Sequence, residues 1–181
     1  MRYLYVGAIA CPEENEAIAA MSETLTHTFG VPTRPLMLPD IEFAHDAARA
    51  QYASISVLEM LARLCPDDAW KLLAVTTRDL FIPVLTFVFG QAQLGGRVGV
   101  VSMARLKQEF YGLPPDRDVF LERAAKEALH ETGHLFGLTH CSDQSCAMSL
   151  STGVRQIDLK QAKFCPPCLG RIAPARKVSS L

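Results

Sequence analysis

No run of about 18 apolar residues occurs anywhere in the chain, so it offers no candidate helix long enough to cross a membrane. Charge of one sign is also missing. The 18 Lys and Arg against 19 Asp and Glu leave a formal net charge of −1, which gives no electrostatic case for nucleic acid. No internal repeat and no low-complexity segment is present, which excludes a repeat architecture. Histidine is scarce, with five residues in 181, yet three of them, His130, His134 and His140, stand in one stretch. The remaining composition, 49% hydrophobic and 20% charged, is ordinary for a soluble globular protein. A length of 181 residues suits one domain with a sizeable core, or one domain plus a small metal-bound lobe.

The stretch from His130 to Cys141 reads HExxHxxGxxHC. On an α-helix His130 and His134 lie one turn apart on the same face, close enough to share a metal. Glu131 then sits where its carboxylate reaches a metal-bound water without binding the metal. Gly137 can take the left-handed conformation that ends a helix and bends the chain back, carrying His140 to the same ion. Three neutral imidazoles and one open position make a catalytic zinc arrangement. The competing reading is a polar helix with solvated histidines, and the clustering of three of the five histidines argues against it. The pattern with its glycine and third histidine in register is the extended metzincin motif.

Six cysteines invite disulfides, but their spacing argues otherwise. Cys141-x4-Cys146 and Cys165-x2-Cys168 are two close pairs near the metal motif and read as zinc ligands in a reducing cytosol, with two disulfides as the alternative. Cys11 and Cys65 stand alone and are expected to be buried free thiols. The stretch Met1–Cys11 is short for a signal peptide and is followed at once by Pro12 and acidic residues, so a strand is expected there.

Along the chain, residues 2–9 predict a buried strand. Residues 13–29 place Ile18, Met21, Leu25 and Phe29 at helical spacing before Gly30. A second strand is expected over Arg34–Leu38. Residues 46–64 read as one helix with Ala47, Ala50, Ile55, Leu58, Leu61 and Ala62 as its apolar stripe, ended by Cys65-Pro66. Strands are expected at Lys71–Thr77, Leu85–Gly90 and Arg97–Ser102, with a turn at Asp79–Pro83 and Gly95-Gly96 between the last two strands. Met103–Gly112 reads as a short helix. Asp116 or Asp118 caps the next helix, which runs to about Phe136. On that helix Val119, Ala125, Ala128, Thr132 and Leu135 are assigned to the core. Arg123, Glu127, His130 and His134 share the metal face, with Glu127 read as a solvated charge rather than a partner of the site. His27 and His45 read as surface or core-polar residues. Alternating strands and helices predict an α/β fold, helices packed on a twisted, mostly parallel sheet.

These residues resemble a known family, the archaemetzincins. The resemblance rests on HExxHxxGxxHC, on Cys146-Ala147-Met148, and on Cys165-Pro166-Pro167-Cys168. The texts Phe87-Val88-Phe89-Gly90-Gln91-Ala92 and Val100-Val101-Ser102 add to it. It covers most of the chain from about residue 70, and the gap from Met148 to Cys165 is close to the family's spacing. The resemblance implies a metzincin-like single catalytic domain, its sheet mostly parallel with one antiparallel edge strand, and a small zinc-stapled C-terminal lobe. It implies that His130, His134 and His140 bind catalytic zinc and that Glu131 is the general base. It implies that Cys141, Cys146, Cys165 and Cys168 hold a structural zinc, giving two Zn2+ per chain, and that Met148 forms the apolar floor beneath the histidines. Ser149-Leu150-Ser151 follow that methionine, so the tyrosine that some metzincins offer as a further ligand is absent.

The expected organisation is an N-terminal catalytic subdomain over residues 1–140 with its active-site helix at about 117–136. A C-terminal subdomain over 141–170 and a flexible tail over 171–181 complete it. The expected activity is zinc-dependent peptide hydrolysis by a cytoplasmic monomer. Its partner is a peptide or protein substrate, with no nucleic acid and no membrane. Residues Leu85–Leu94 are the candidate edge strand for aligning that peptide. A non-catalytic zinc-stabilised binding module is the alternative, and the intact Glu131 favours an enzyme.

Overall fold

The computed structural model describes residues 2–10 and 14–178, with side chains described through Ile172. The chain opens with β1 (Tyr3–Ile9), α1 (Asn15–Phe29) and β2 (Thr33–Leu38). A short hairpin, β3 (His45–Asp46) and β4 (Gln51–Ala53), leads into α2 (Ser54–Leu64). Then come β5 (Ala69–Thr76), β6 (Leu80–Phe81), β7 (Gly90–Ala92) and β8 (Val98–Ser102). Three helices close the chain: α3 (Arg117–Leu135), α4 (Val154–Leu159) and α5 (Pro166–Val178).

The main sheet has the order β2-β1-β5-β8-β7. All its pairings are parallel except β7 on β8, which is antiparallel and forms the edge. The fold is therefore the α/β one expected, with a single antiparallel edge strand. Period-two alternation divides the strands between two cores. Leu4, Val6, Leu73, Val75 and Val101 pack under α1 and α3. Ile9, Leu72, Ala74, Val98 and Val100 pack under α2. Both faces are covered, which is why β8 reads as an unbroken apolar run rather than an alternating one.

Helix α1 presents Ala17, Met21, Leu25 and Phe29 to the core, while Ile18 is only half-buried. Gly30 ends it at φ 70°, with its N–H on the Thr26 carbonyl. Fully burying side chains such as Leu25 or Phe29 contributes about 1.5–3 kcal/mol each.

Five expectations need correction. Residues 46–53 are not helical. The Asp46 carboxylate accepts the N–H groups of Ala48 and Arg49, but the turn it opens ends at Ala50, whose left-handed φ of 52° sends the chain back as β4 against β3. Ala47 and Ala50 are exposed, as are Ile55 and Ala62, and the true stripe of α2 is Val57, Leu58 and Leu61. Leu80–Phe81 is not a turn but β6, paired in parallel with β4. Residues 85–89 are not a regular strand, because side chains rather than a neighbouring strand take the Leu85 and Thr86 carbonyls. The edge strand begins only at Gly90. Met103–Gly112 holds only a 3-10 turn at Gln108–Tyr111. Finally, residues 171–178 continue α5, and Ile172 is 1% exposed in the core under α1 and α3. Pro166 at the first helical position suits that start.

Residues after α3 pack into that same core. Met148, Ile157, Phe164 and Ile172 join it, with the Phe164 ring edge-on to Phe29 at 6.1 Å. Among the described residues no helix is long and apolar enough to cross a membrane.

Candidate metal centre

Helix α3 carries the site. Asp116 caps it, its carboxylate accepting the Val119 N–H at 3.1 Å. At the other end Gly137 adopts φ 85°, Leu138 N–H reaches the Gly133 carbonyl and Gly137 N–H reaches that of His134, a Schellman motif. The motif turns the chain back, as the glycine's position predicts. It brings His140 beside the helix, its ring 5.4 Å from that of His130 and 5.1 Å from that of His134. His27 and His45 are exposed and stay outside this group.

The tautomers of the two helical histidines follow from their acceptors. His130 Nδ1 lies 2.7 Å from the Ala147 carbonyl, and His134 Nδ1 lies 2.7 Å from the Leu138 carbonyl. A carbonyl only accepts, so each Nδ1 carries the hydrogen and each Nε2 presents a lone pair. The two Nε2 atoms are 3.1 Å apart. Two lone pairs at that distance repel unless a cation lies between them. One ligand nitrogen from each of His130, His134 and His140 falls within a 4.8 Å span. Burial pushes all three imidazoles below their ordinary pKa, His130 furthest, which favours the neutral form a metal requires. The residues present therefore fit a metal ion.

Glu131 is 4% exposed, and its Oε2 has no hydrogen-bond partner. Burial, reinforced by the nearby Glu127 carboxylate, pushes its pKa well up. The edge strand passes directly over it. A Cβ on Gly90 would lie 2.6 Å from Glu131 Cγ, so β7 reaches this position only as glycine. Glu127 is not the solvated charge the sequence suggested. It is buried and pairs with the equally buried Lys160 at 3.3 Å, and Lys160 Nζ lies 3.4 Å from His130 Nδ1.

Beneath α3 lies Met148, fully buried. A Cβ on Gly133, between the two histidines, would collide with its sulfur and come within 3.2 Å of the Phe164 ring. The same segment meets the four cysteines. Cys146 Sγ accepts the N–H groups of Met148 and Cys165, and Cys141 N–H donates to the Met148 carbonyl at 2.9 Å. The sulfurs of Cys141, Cys146, Cys165 and Cys168 lie within 4.8 Å of one another as free thiols, not disulfides. Cys141 and Cys165 are 3.7 Å apart, close to the ~3.8 Å edge of a tetrahedron with Zn–S bonds of about 2.3 Å. Burial pushes the Cys146 and Cys168 thiols up, a cost that a bound cation would reverse. Cys65 is a half-buried free thiol, while Cys11 lies outside the described residues.

Above the histidines a cleft of about 520 Å³ runs along β7, with His130, Glu131, His134 and His140 in its floor and Phe87 and Leu150 in its walls. The sequence reading found every histidine and cysteine of these clusters. It missed Gly90, Gly133 and Lys160, whose partners are distant in sequence. Neither glycine nor Lys160 carried a signal in its local sequence.

A histidine triad with an adjacent buried carboxylate, set under the edge strand of an α/β fold, defines a zinc metallopeptidase. Within that class, residues 24–174 match the model of Peptidase family M54, and the chain belongs to that family. It is 42% identical over 139 residues to the archaemetzincin of Methanocaldococcus jannaschii, covering 75% of each chain. It is 39% identical over 154 residues to that of Pyrococcus furiosus, covering 83% of this chain and 80% of that one. Among solved structures, archaemetzincin from Methanopyrus kandleri superposes with a TM-score of 0.86 at 35% identity, over 97% of this chain and 96% of that one. The Archaeoglobus fulgidus protein, complexed with malonate, gives 0.78 at 32% identity, over 94% and 99%.

Proposed function

We propose that His130, His134 and His140 hold the catalytic zinc, that Glu131 is the general base for peptide-bond hydrolysis, and that Cys141, Cys146, Cys165 and Cys168 hold a second, structural zinc. The chemistry that zinc supplies in such a site is Lewis acidity, which polarises a carbonyl and makes water a far stronger acid. Glu131 takes the proton of the attacking water on Oε2 and later delivers it to the leaving amine. Its burial raises its proton affinity toward the range that this shuttle needs. The outer edge of β7 lies along the cleft and aligns an extended peptide by main-chain pairing.

The observation that carries this reading is the pair of Nε2 lone pairs 3.1 Å apart beside an unpartnered carboxylate oxygen. Four thiolates would fill a tetrahedral shell and leave no open position, so the cysteine site is structural. It fastens residues 141–170 as a C-terminal subdomain beneath the catalytic one. Thiols kept as ligands rather than paired suit a reducing, cytosolic compartment.

The test is Glu131→Gln in the zinc-loaded protein. Two zincs per chain should remain by elemental analysis, while hydrolysis of a peptide library falls by about 10²–10⁴-fold. Undiminished cleavage would remove Glu131 from its role. Two zincs with no cleavage even in the parent protein would favour a zinc-stabilised binding module.

A further inference from the structure

One wall of the cleft is built without regular strand structure. Residues 82–89 turn at Leu85, whose N–H donates to the Ile82 carbonyl at 3.0 Å, and rejoin β6 where Val88 N–H donates to Leu80 at 2.9 Å. Between those points, side chains from far away in the chain take the carbonyls. Arg49 Nη2 donates to Leu85 at 2.8 Å and to Thr86 at 3.1 Å. Gln51 Nε2 donates to Thr86 at 3.0 Å and to Asp79 Oδ2 at 2.8 Å. Asp79 also receives Arg105 through Nε and Nη2, both at 2.8 Å. The Arg105 guanidinium then lies 4.1 Å from the centre of the Phe87 ring. Three consecutive wall residues, 85, 86 and 87, are thus gripped by one network.

The Arg49 bonds to the wall carbonyls lie at the surface, but they are anchored on a buried residue. Gln51 is 6% exposed, and Arg49 Nε donates to its Oε1 at 3.1 Å, tying the two grips together. Between them Ala50 has φ 52°, a left-handed conformation uncommon for a residue with a Cβ. That twist lets side chains on both sides of Ala50 reach the same carbonyl, that of Thr86. Backbone strain of this kind persists where the surroundings over-determine a geometry, and it clusters at ligand clamps.

We propose that Gln51 and Arg105, joined by Asp79, and Arg49, joined to them through Gln51, are positioning residues that hold residues 85–87 as a preset wall of the peptide cleft. The proposal rests on the peptidase reading of that cleft. A wall ordered before binding spares the substrate the entropy cost of ordering it. Side chains hold the carbonyls, so the wall keeps its shape although it lacks strand pairing at 85–87.

The test uses zinc-loaded protein, Arg49→Ala and Gln51→Ala, with Arg49→Lys as the milder variant should Arg49→Ala not fold. Hydrogen exchange reads the wall directly. Calorimetry reads its use, with two probes: a leucyl-peptide hydroxamate, which spans the cleft, and acetohydroxamate, which has no peptide part. Amide exchange at Leu85 and Val88, whose N–H groups are hydrogen-bonded to Ile82 and Leu80, should rise at least tenfold in the variants. The peptide hydroxamate should bind about tenfold more weakly, because the cost of ordering the wall then falls on binding, while acetohydroxamate binds as before. Unchanged exchange, or unchanged affinity for the peptide probe, overturns the proposal. Equal loss of both probes also overturns it, because the damage would then lie at the metal. A parent protein that binds neither probe would sink the peptidase reading itself, and the proposal with it.

Discussion

In the proposed role as general base, Glu131 depends on its carboxylate staying where α3 and β7 place it, and Gly90 is the residue that permits this. A methyl group at position 90 would press on Glu131 Cγ, Cδ and Oε1, all within 2.7 Å. The carboxylate must then shift, since the strand is fixed by its pairing to β8 through Gly90 and Val101. Displacement of a reacting group by about 1 Å costs roughly 10²-fold in rate. Gly90→Ala should therefore lose about 10²-fold in kcat/KM while its zinc content stays that of the parent. Steady-state kinetics with elemental analysis checks this, and activity within twofold of the parent would contradict it. At this scale legibility depended on sequence distance. His130, Glu131, His134 and His140 were readable because one helix and one bend place them, and both are written in local spacing. Gly90 was not, because its meaning comes from a side chain on another element. Lys160 was not, because it meets Glu127 across 33 positions and a lone lysine in a polar stretch predicts only a solvated charge.

Among the elements, α3 and α4 are joined by a buried ion pair. Lys160 follows α4 and Glu127 lies on α3, with side chains 1% and 3% exposed at 3.3 Å. Removing one partner of such a pair leaves an uncompensated buried charge, at a cost of about 3–5 kcal/mol. Lys160→Met should lower the melting temperature of the zinc-loaded protein by roughly 10 °C. Glu127→Gln added to Lys160→Met should recover most of that loss, because no lone charge then remains. Thermal unfolding of the three proteins decides the matter, and a single variant within 1 °C of the parent would refute it. Element identity was legible where helical periodicity marked a packed face, as in α1 and α3, and where short apolar, β-rich runs marked buried strands, as in β1, β5 and β8. It failed where a backbone turn or distant side chains decided the structure. Ala50 turned left-handed and ended the helix that the apolar spacing of Ala47 and Ala50 predicted, and Arg49 and Gln51 took the carbonyls that a strand over 85–89 would have used.

On the scale of the whole molecule, the two metal clusters and the core form one connected unit. His140 and Cys141 are neighbours in the chain. Ala147, between Cys146 and Met148, supplies the carbonyl that orients His130. The cysteine cluster thus stands directly behind the three clustered imidazoles, and Met148 packs against Gly133 of α3. The class of the protein was legible because its histidine and cysteine clusters are concentrated in short motifs. The shape of the cleft was not, because its walls come from segments that meet only in the folded chain.

Anomalous diffraction at the zinc absorption edge, on crystals of the metal-loaded protein, tests the central claim most directly. The account predicts two full peaks, one bounded by the Nε2 atoms of His130, His134 and His140, the other by the four cysteine sulfurs. A full peak at the cysteines with none among the three imidazoles would contradict it.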